Sequence, residues 1–171
     1  MNENVKPQTE WWKRIVVGAN LKTTLRRAIL LALFCILLFN YVLLPVRVRG
    51  NSMEPTYRDG SWHAVNLLKL AARHPRRGEV VVISMVGRRA LYLKRVLGLP
   101  GETVSFFNGQ LIIDGREMPE PSLTDRGDWT LPAVTLGGDE YFVAGDNRAV
   151  PLEVHTLGTV KRKKMIGGIL R

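Results

Sequence analysis

The sequence predicts a mainly β chain: one partly closed antiparallel β domain, preceded by a single N-terminal transmembrane helix. Three observations carry this. Residues 28–46 read AILLALFCILLFNYVLLPV, nineteen residues without a charge. The rest of the chain breaks into short runs rich in β-branched and aromatic residues, divided by Gly, Pro, Asn and Asp turn signals. One of those turns, Asn108-Gly109 between SFF and QLII, is a strong signal for a two-residue hairpin.

The bulk numbers agree. Of 171 residues, 46% are apolar and 23% charged, which excludes a disordered or collagen-like chain. A single cysteine excludes an intramolecular disulfide framework and a cysteine-rich metal cluster. The net charge of +10 points to an anionic partner, nucleic acid or a membrane surface.

As a helix, the uncharged run would be about 28 Å long, close to a bilayer core of about 30 Å. Asn40 is its only strongly polar residue, Pro45 falls where the helix can stop, and no polar face is present. A cleaved secretory signal would have a core of about 7–15 residues and a small-residue cut site. Here PVRVRG follows, so the run reads as an anchor. Lys13, Arg14, Lys22, Arg26 and Arg27 precede it, against Arg47, Arg49 and Arg58 after it. This bias predicts a cytoplasmic N-terminus and a domain on the outer, periplasmic face of the cell membrane. The expected division is a basic cytoplasmic segment at 1–27, the anchor at 28–46 and a β-rich domain at 47–171. Cys35 lies mid-span as a small apolar filler. Trp11 and Trp12 open a candidate interfacial helix over 11–27.

Beyond the anchor, strands are expected at 45–49, 61–66, 79–85, 91–97, 103–107, 110–113 and 141–144, with a short helix near 67–73. No internal repeat or low-complexity tract interrupts them.

Metal chemistry finds little support, because His63, His74 and His155 are scattered and no HExxH spacing occurs. No G-x-S-x-G elbow or Gly-rich phosphate loop occurs either. Three other stretches stand out together: Gly50-Asn51-Ser52-Met53-Glu54-Pro55-Thr56, then Tyr92-Leu93-Lys94-Arg95-Val96-Leu97-Gly98-Leu99-Pro100-Gly101-Glu102, then Gly145-Asp146-Asn147-Arg148. In this order, after one N-terminal span, they resemble the type I signal peptidase family, membrane-anchored Ser/Lys endopeptidases. The resemblance covers nearly everything from the span to the C-terminus. It suggests a compact, divergent member, of which the peptidases of conjugation systems are one kind.

The resemblance implies catalytic roles for Ser52 as nucleophile and Lys94 as general base. The chemistry is consistent with them. A serine hydroxyl is a poor nucleophile until a base takes its proton, and lysine serves as base only if burial depresses its pKa by several units. Lys94 sits on an alternating strand with Tyr92 on the same face, and Arg95 is expected to face the other way. Gly50 stands where some members carry an oxyanion-binding hydroxyl, so the oxyanion hole would rest on backbone N–H groups, chiefly that of Ser52. Asn51 and Met53 belong to the serine turn, with Met53 seating it. Pro55 and the Asp146, Asn147 and Arg148 loop are implied to be structural, with Asp146 and Arg148 held by charge-assisted bonds.

Departures follow that loop. The family continues with serine, aspartate and arginine at alternating positions, where this chain has Pro151, Glu153 and His155. Pro151 removes the hydroxyl that orients the lysine. Glu153 keeps the negative charge, and His155 is expected to pair with it in a pH-dependent way.

The implied activity is removal of signal peptides from translocated preproteins with small residues before the cut, at the bilayer surface, without a metal or organic cofactor. Rivals are a catalytically impaired homologue, a dedicated peptidase of a conjugation or pilus system, and a basic membrane- or nucleic-acid-binding module built on runs such as 161–164. The charge argues against specific nucleic-acid binding: it divides as +4 before the span and +6 after it, which suits an anionic bilayer.

Overall fold

A computed structural model describes residues 21–87, 90–123, 125–155 and 158–170. The chain divides into two compact units, residues 1–40 and 41–171. The first holds α1 (Leu21–Leu37); a π-helical turn, Leu38–Val42, follows it in the chain. Apolar side chains such as Ile29, Leu31 and Phe34 are more than half exposed, as suits a helix surrounded by lipid. Residues 22–42 are long and apolar enough to cross a membrane. Asn40, the polar exception, spends its amide within the helix, donating to Ile36 O at 2.8 Å. The helix ends before Pro45: the next element, β1 (Leu43–Arg47), takes Leu43 to Val46 from the predicted span. The proposed interfacial helix lies mostly outside the described residues, and from Leu21 onward its residues are part of α1.

The second unit is built of antiparallel strands: β1, β2 (Trp62–Asn66), β3 (Val80–Val86), β4 (Ala90–Gly98), β5 (Thr103–Phe107), β6 (Gln110–Ile113), β7 (Arg116–Glu117), β8 (Leu131–Thr135), β9 (Glu140–Ala144), β10 (Thr159–Lys161) and β11 (Met165–Ile169). A one-turn helix, α2 (Leu68–Ala71), follows β2. Seven strands form one sheet in the order β1-β2-β11-β3-β4-β9-β10, and four form another in the order β7-β6-β5-β8. Each predicted strand is present. The Asn108-Gly109 turn joins β5 to β6 with φ of 46° and 76°, the left-handed pair that a tight hairpin requires.

Three clusters of buried side chains fill the unit. One, with Phe106, Trp129 and Phe142, lies against the smaller sheet; a second gathers around Ile83, Val96 and Tyr141. The third, Val48, Met53, Tyr57, Val65, Val80, Val82 and Ile169, lies under the serine turn. Among the described residues β1 is an edge strand, paired only to β2. β4 pairs with β3 along most of its length but with β9 only from Arg95 onward. Its first half, which carries Tyr92 and Lys94, therefore has one open edge among the described residues.

Candidate active site

Ser52 stands at the start of a tight turn after β1. Gly50 enters that turn at φ +87°, a conformation that favours glycine, and donates its N–H to Asp59 Oδ1 at 2.8 Å. Glycine is therefore required by the backbone here, whatever a side-chain hydroxyl would add. Met53 is 1% exposed and locks the turn into the third core cluster. Glu54 N–H donates to Asn51 O at 3.1 Å and Tyr57 N–H to Met53 O at 2.9 Å, closing the turn around Pro55. Among the described residues, the Ser52 hydroxyl and N–H make no hydrogen bond within the protein, so both are available to a ligand.

A strap at residues 145–148 grips this turn from β9. Asn147 N–H donates to Ser52 O at 3.1 Å, and Asn147 Nδ2 to Asn51 O at 3.1 Å. A Cβ on Gly145 would lie 2.2 Å from Ser52 O, so no other residue fits there without moving the serine. Asp146 is 2% exposed and receives two hydrogen bonds from Arg95, at 2.7 and 2.5 Å, and one from Thr56 Oγ1 at 2.6 Å. Arg95 is buried under the strap and welds β4 to it. Arg148, 1% exposed, donates from Nε to Gly145 O at 2.9 Å and pairs with Glu120 at 2.5 Å. Its guanidinium lies over the Trp129 ring at 4.8 Å. The predicted charge-assisted bonds of Asp146 and Arg148 are present, with partners that local sequence could not name.

Lys94 is 3% exposed at the open half of β4. Burial lowers its amine from the usual 10.5 to about 8, against the opposing pull of Asp146. Its Nζ lies 3.4 Å from His155 Nε2. His155, expected beside Glu153, therefore reaches the lysine; Glu153 is exposed. The loss of the hydroxyl at Pro151 does not leave the amine without a neighbour. Lys94 and Ser52 are not hydrogen-bonded to each other, as is common in sites without substrate, where catalytic bonds tighten only on binding. They are linked through Gly145, which touches Ser52 O and donates its N–H to His155 Nε2 at 2.9 Å.

A groove of about 500 Å³ opens beside Ser52, between β1 and the near face of β4. Val46, Val48, Met53, Leu91, Tyr92 and Leu93 supply much of its apolar lining. Tyr92 therefore belongs to the groove wall. The contributions that sequence reasoning missed are those of Thr56, Arg95, Glu120 and Trp129. For Arg95 a signal existed, since the Lys-Arg pair falls within a strand otherwise apolar; the others come from distant elements.

A sequence model of the family described as "Signal peptidase, peptidase S26" matches residues 21–170. The chain belongs to that family. It is similar to a signal peptidase I of Bacillus amyloliquefaciens, 35% identical over 153 residues and covering 82% of each chain. A second from that species is 32% identical over 179 residues, covering 98% of this chain and 92% of that one. Signal peptidase I T of Bacillus subtilis is 32% identical over 169 residues, covering 92% and 81%. These matches do not favour the impaired homologue, the dedicated conjugation or pilus peptidase, or the binding module.

Proposed function

We propose that the chain is a membrane-anchored serine endopeptidase that removes N-terminal signal peptides from translocated preproteins, with Ser52 as nucleophile and Lys94 as general base. Family membership supports the activity. The observation that carries the residue roles is the buried amine of Lys94, lowered to about 8, joined through Gly145 to a serine whose hydroxyl has no partner among the described residues.

Lys94 Nζ takes the Ser52 hydroxyl proton as Oγ bonds to the scissile carbonyl carbon. The tetrahedral oxyanion meets the Ser52 N–H. The C–N bond then breaks, and the lysine returns the proton to the departing amine. Lys94 next deprotonates a water, whose oxygen bonds to the acyl carbon; the C–Oγ bond breaks and the lysine returns the proton to Ser52 Oγ. No step needs a metal or organic cofactor.

The substrate binds extended, adding a strand between the open edges of β1 and β4. The residues before the cut are small, as the family resemblance implies. The apolar helix anchors the chain with its N-terminus cytoplasmic and the peptidase unit on the outer face.

Full-length protein in detergent should cut a preprotein at one site. Ser52→Ala and Lys94→Ala should each lower kcat by at least about a hundredfold. Cleavage that persists in both variants would sink the dyad assignment.

A further inference from the structure

A neutral lysine amine is a poor base unless it is aimed. It carries two hydrogens and one electron pair on a stem of four rotatable bonds, and only the electron pair accepts the serine proton. Something must hold a hydrogen of the amine if the pair is to point at Ser52.

Among the described residues, the one hydrogen-bond partner of Lys94 Nζ is His155 Nε2, at 3.4 Å. The same ring nitrogen accepts the Gly145 N–H at 2.9 Å, so it bears no proton and can act only as an acceptor toward the amine. One lone pair shared between two donors accounts for the longer of the two contacts. The ring is braced from the side: Trp129 meets it edge-on, with centroids 4.7 Å apart and planes at 70°. Trp129 is itself fixed, 2% exposed and donating its indole N–H to Val150 O at 2.8 Å. The residue that fixes the imidazole is the one packed against the serine, since a Cβ on Gly145 would fall 2.2 Å from Ser52 O and 3.3 Å from His155 Nε2.

We infer that His155 is the positioning residue for Lys94: its Nε2 holds one amine hydrogen and so turns the amine's electron pair toward the Ser52 hydroxyl. The inference rests on the dyad proposed above. It gives His155 the task that the missing hydroxyl at Pro151 leaves vacant, by a different chemical group from a different position. Pro151 itself is exposed and lies in an extended conformation before a 3₁₀ turn, Leu152–Val154.

The charged groups around the amine do not supply this aim. Asp146 acts on Lys94 through space but spends both oxygens on Arg95 and Thr56. Arg95 donates to Asp146 and to Gly78 O at 2.7 Å, and Arg148 is engaged with Glu120 and Gly145 O.

The test compares two substitutions in the full-length protein, using a fluorogenic preprotein peptide in detergent micelles. His155→Phe keeps a ring against Trp129 but removes the acceptor; His155→Gln keeps an acceptor. The phenylalanine variant should lose about tenfold to a hundredfold in kcat while KM stays nearly constant. The acid limb of its pH–rate profile should also move to lower pH, because the protonated amine has lost an acceptor and gained an apolar neighbour. The glutamine variant should recover most of the lost rate. If His155→Phe retains both kcat and its acid limb while Ser52→Ala and Lys94→Ala abolish cutting, the dyad stands and the role of His155 is overturned. Cleavage that survives Ser52→Ala or Lys94→Ala overturns the dyad, and the inference with it. Should the phenylalanine variant fail to fold, His155→Leu removes the acceptor with less bulk and reads the same two quantities.

Discussion

Lys94 is costly where it stands. An amine at 3% exposure gives up most of its hydration, and the lowered pKa of about 8 measures how much the folded chain resists its charge. Two predictions follow at this scale. In the free enzyme, kcat/KM should rise with pH as the amine loses its proton, with a midpoint near 8. A seated substrate removes more water, so the acid limb of kcat should lie lower than that of kcat/KM; coincident limbs would mean that the groove stays wet. The second concerns stability. The folded pKa is depressed, so between pH 8 and about 10.4 the unfolded chain binds more protons and stability climbs with pH; below that window the buried charge exacts its full cost. Lys94→Met should therefore be inactive yet more stable by about 1–3 kcal/mol at pH 7, with the gain shrinking above pH 10. Thermal melts of the two proteins across that range would show it. A methionine variant that melts lower at neutral pH would contradict the account.

Among the elements, the strap at 145–148 does the most to assemble the site, because it touches the serine turn, the lysine strand and the smaller sheet at once. Its hold on β4 is the buried pair of Asp146 and Arg95. Removing one partner of a buried pair leaves an uncompensated charge, so Asp146→Asn should cost about 3–5 kcal/mol of stability by denaturant titration. It should also shift the acid limb of the rate profile downward, since Asp146 is the group that opposes the fall of the Lys94 pKa. An unchanged limb would mean that Asp146 acts only as a brace. Here the limits of sequence reading become physical. The strands at 103–107 and 110–113 were legible because their alternation and an Asn-Gly turn are local properties. β8 was missed because it contains Pro132, which a strand at the edge of its sheet tolerates. β11 was missed because it reads Met-Ile-Gly-Gly-Ile, and its glycines have a tertiary cause: a Cβ on Gly167 would lie 2.7 Å from Asn66 O. β10 is three residues beside a basic run, too short to show a period. In the site, Ser52, Lys94 and the strap were legible as motifs, whereas the His155 contact depends on a chain path across 61 residues that no spacing encodes.

For the whole molecule, the proposed orientation rests on charge and hydropathy and not on the fold. Basic residues cluster before and within the first turns of an apolar helix whose side chains are open to their surroundings, and the peptidase unit follows it. Cys35, within the helix, is the chain's one cysteine, which makes the topology easy to probe. Arg116→Cys, on exposed β7, should react with a membrane-impermeant maleimide added to intact cells, while Cys35 stays unlabelled. Labelling of position 116 only after the membrane is opened would reverse the orientation.

The open edge of β1 has a further cost. A surface that recognises extended backbone through main-chain hydrogen bonds has little means of refusing any other strand, including one from a second copy. If the proposed strand addition occurs at this edge, the same row of N–H and C=O groups, unpaired among the described residues, would also accept a strand from a second copy. The exposed cations Arg47 and Arg49, at the end of that edge, repel their own counterparts in a like molecule, and so limit edge-to-edge pairing between copies while leaving a less basic peptide free to enter.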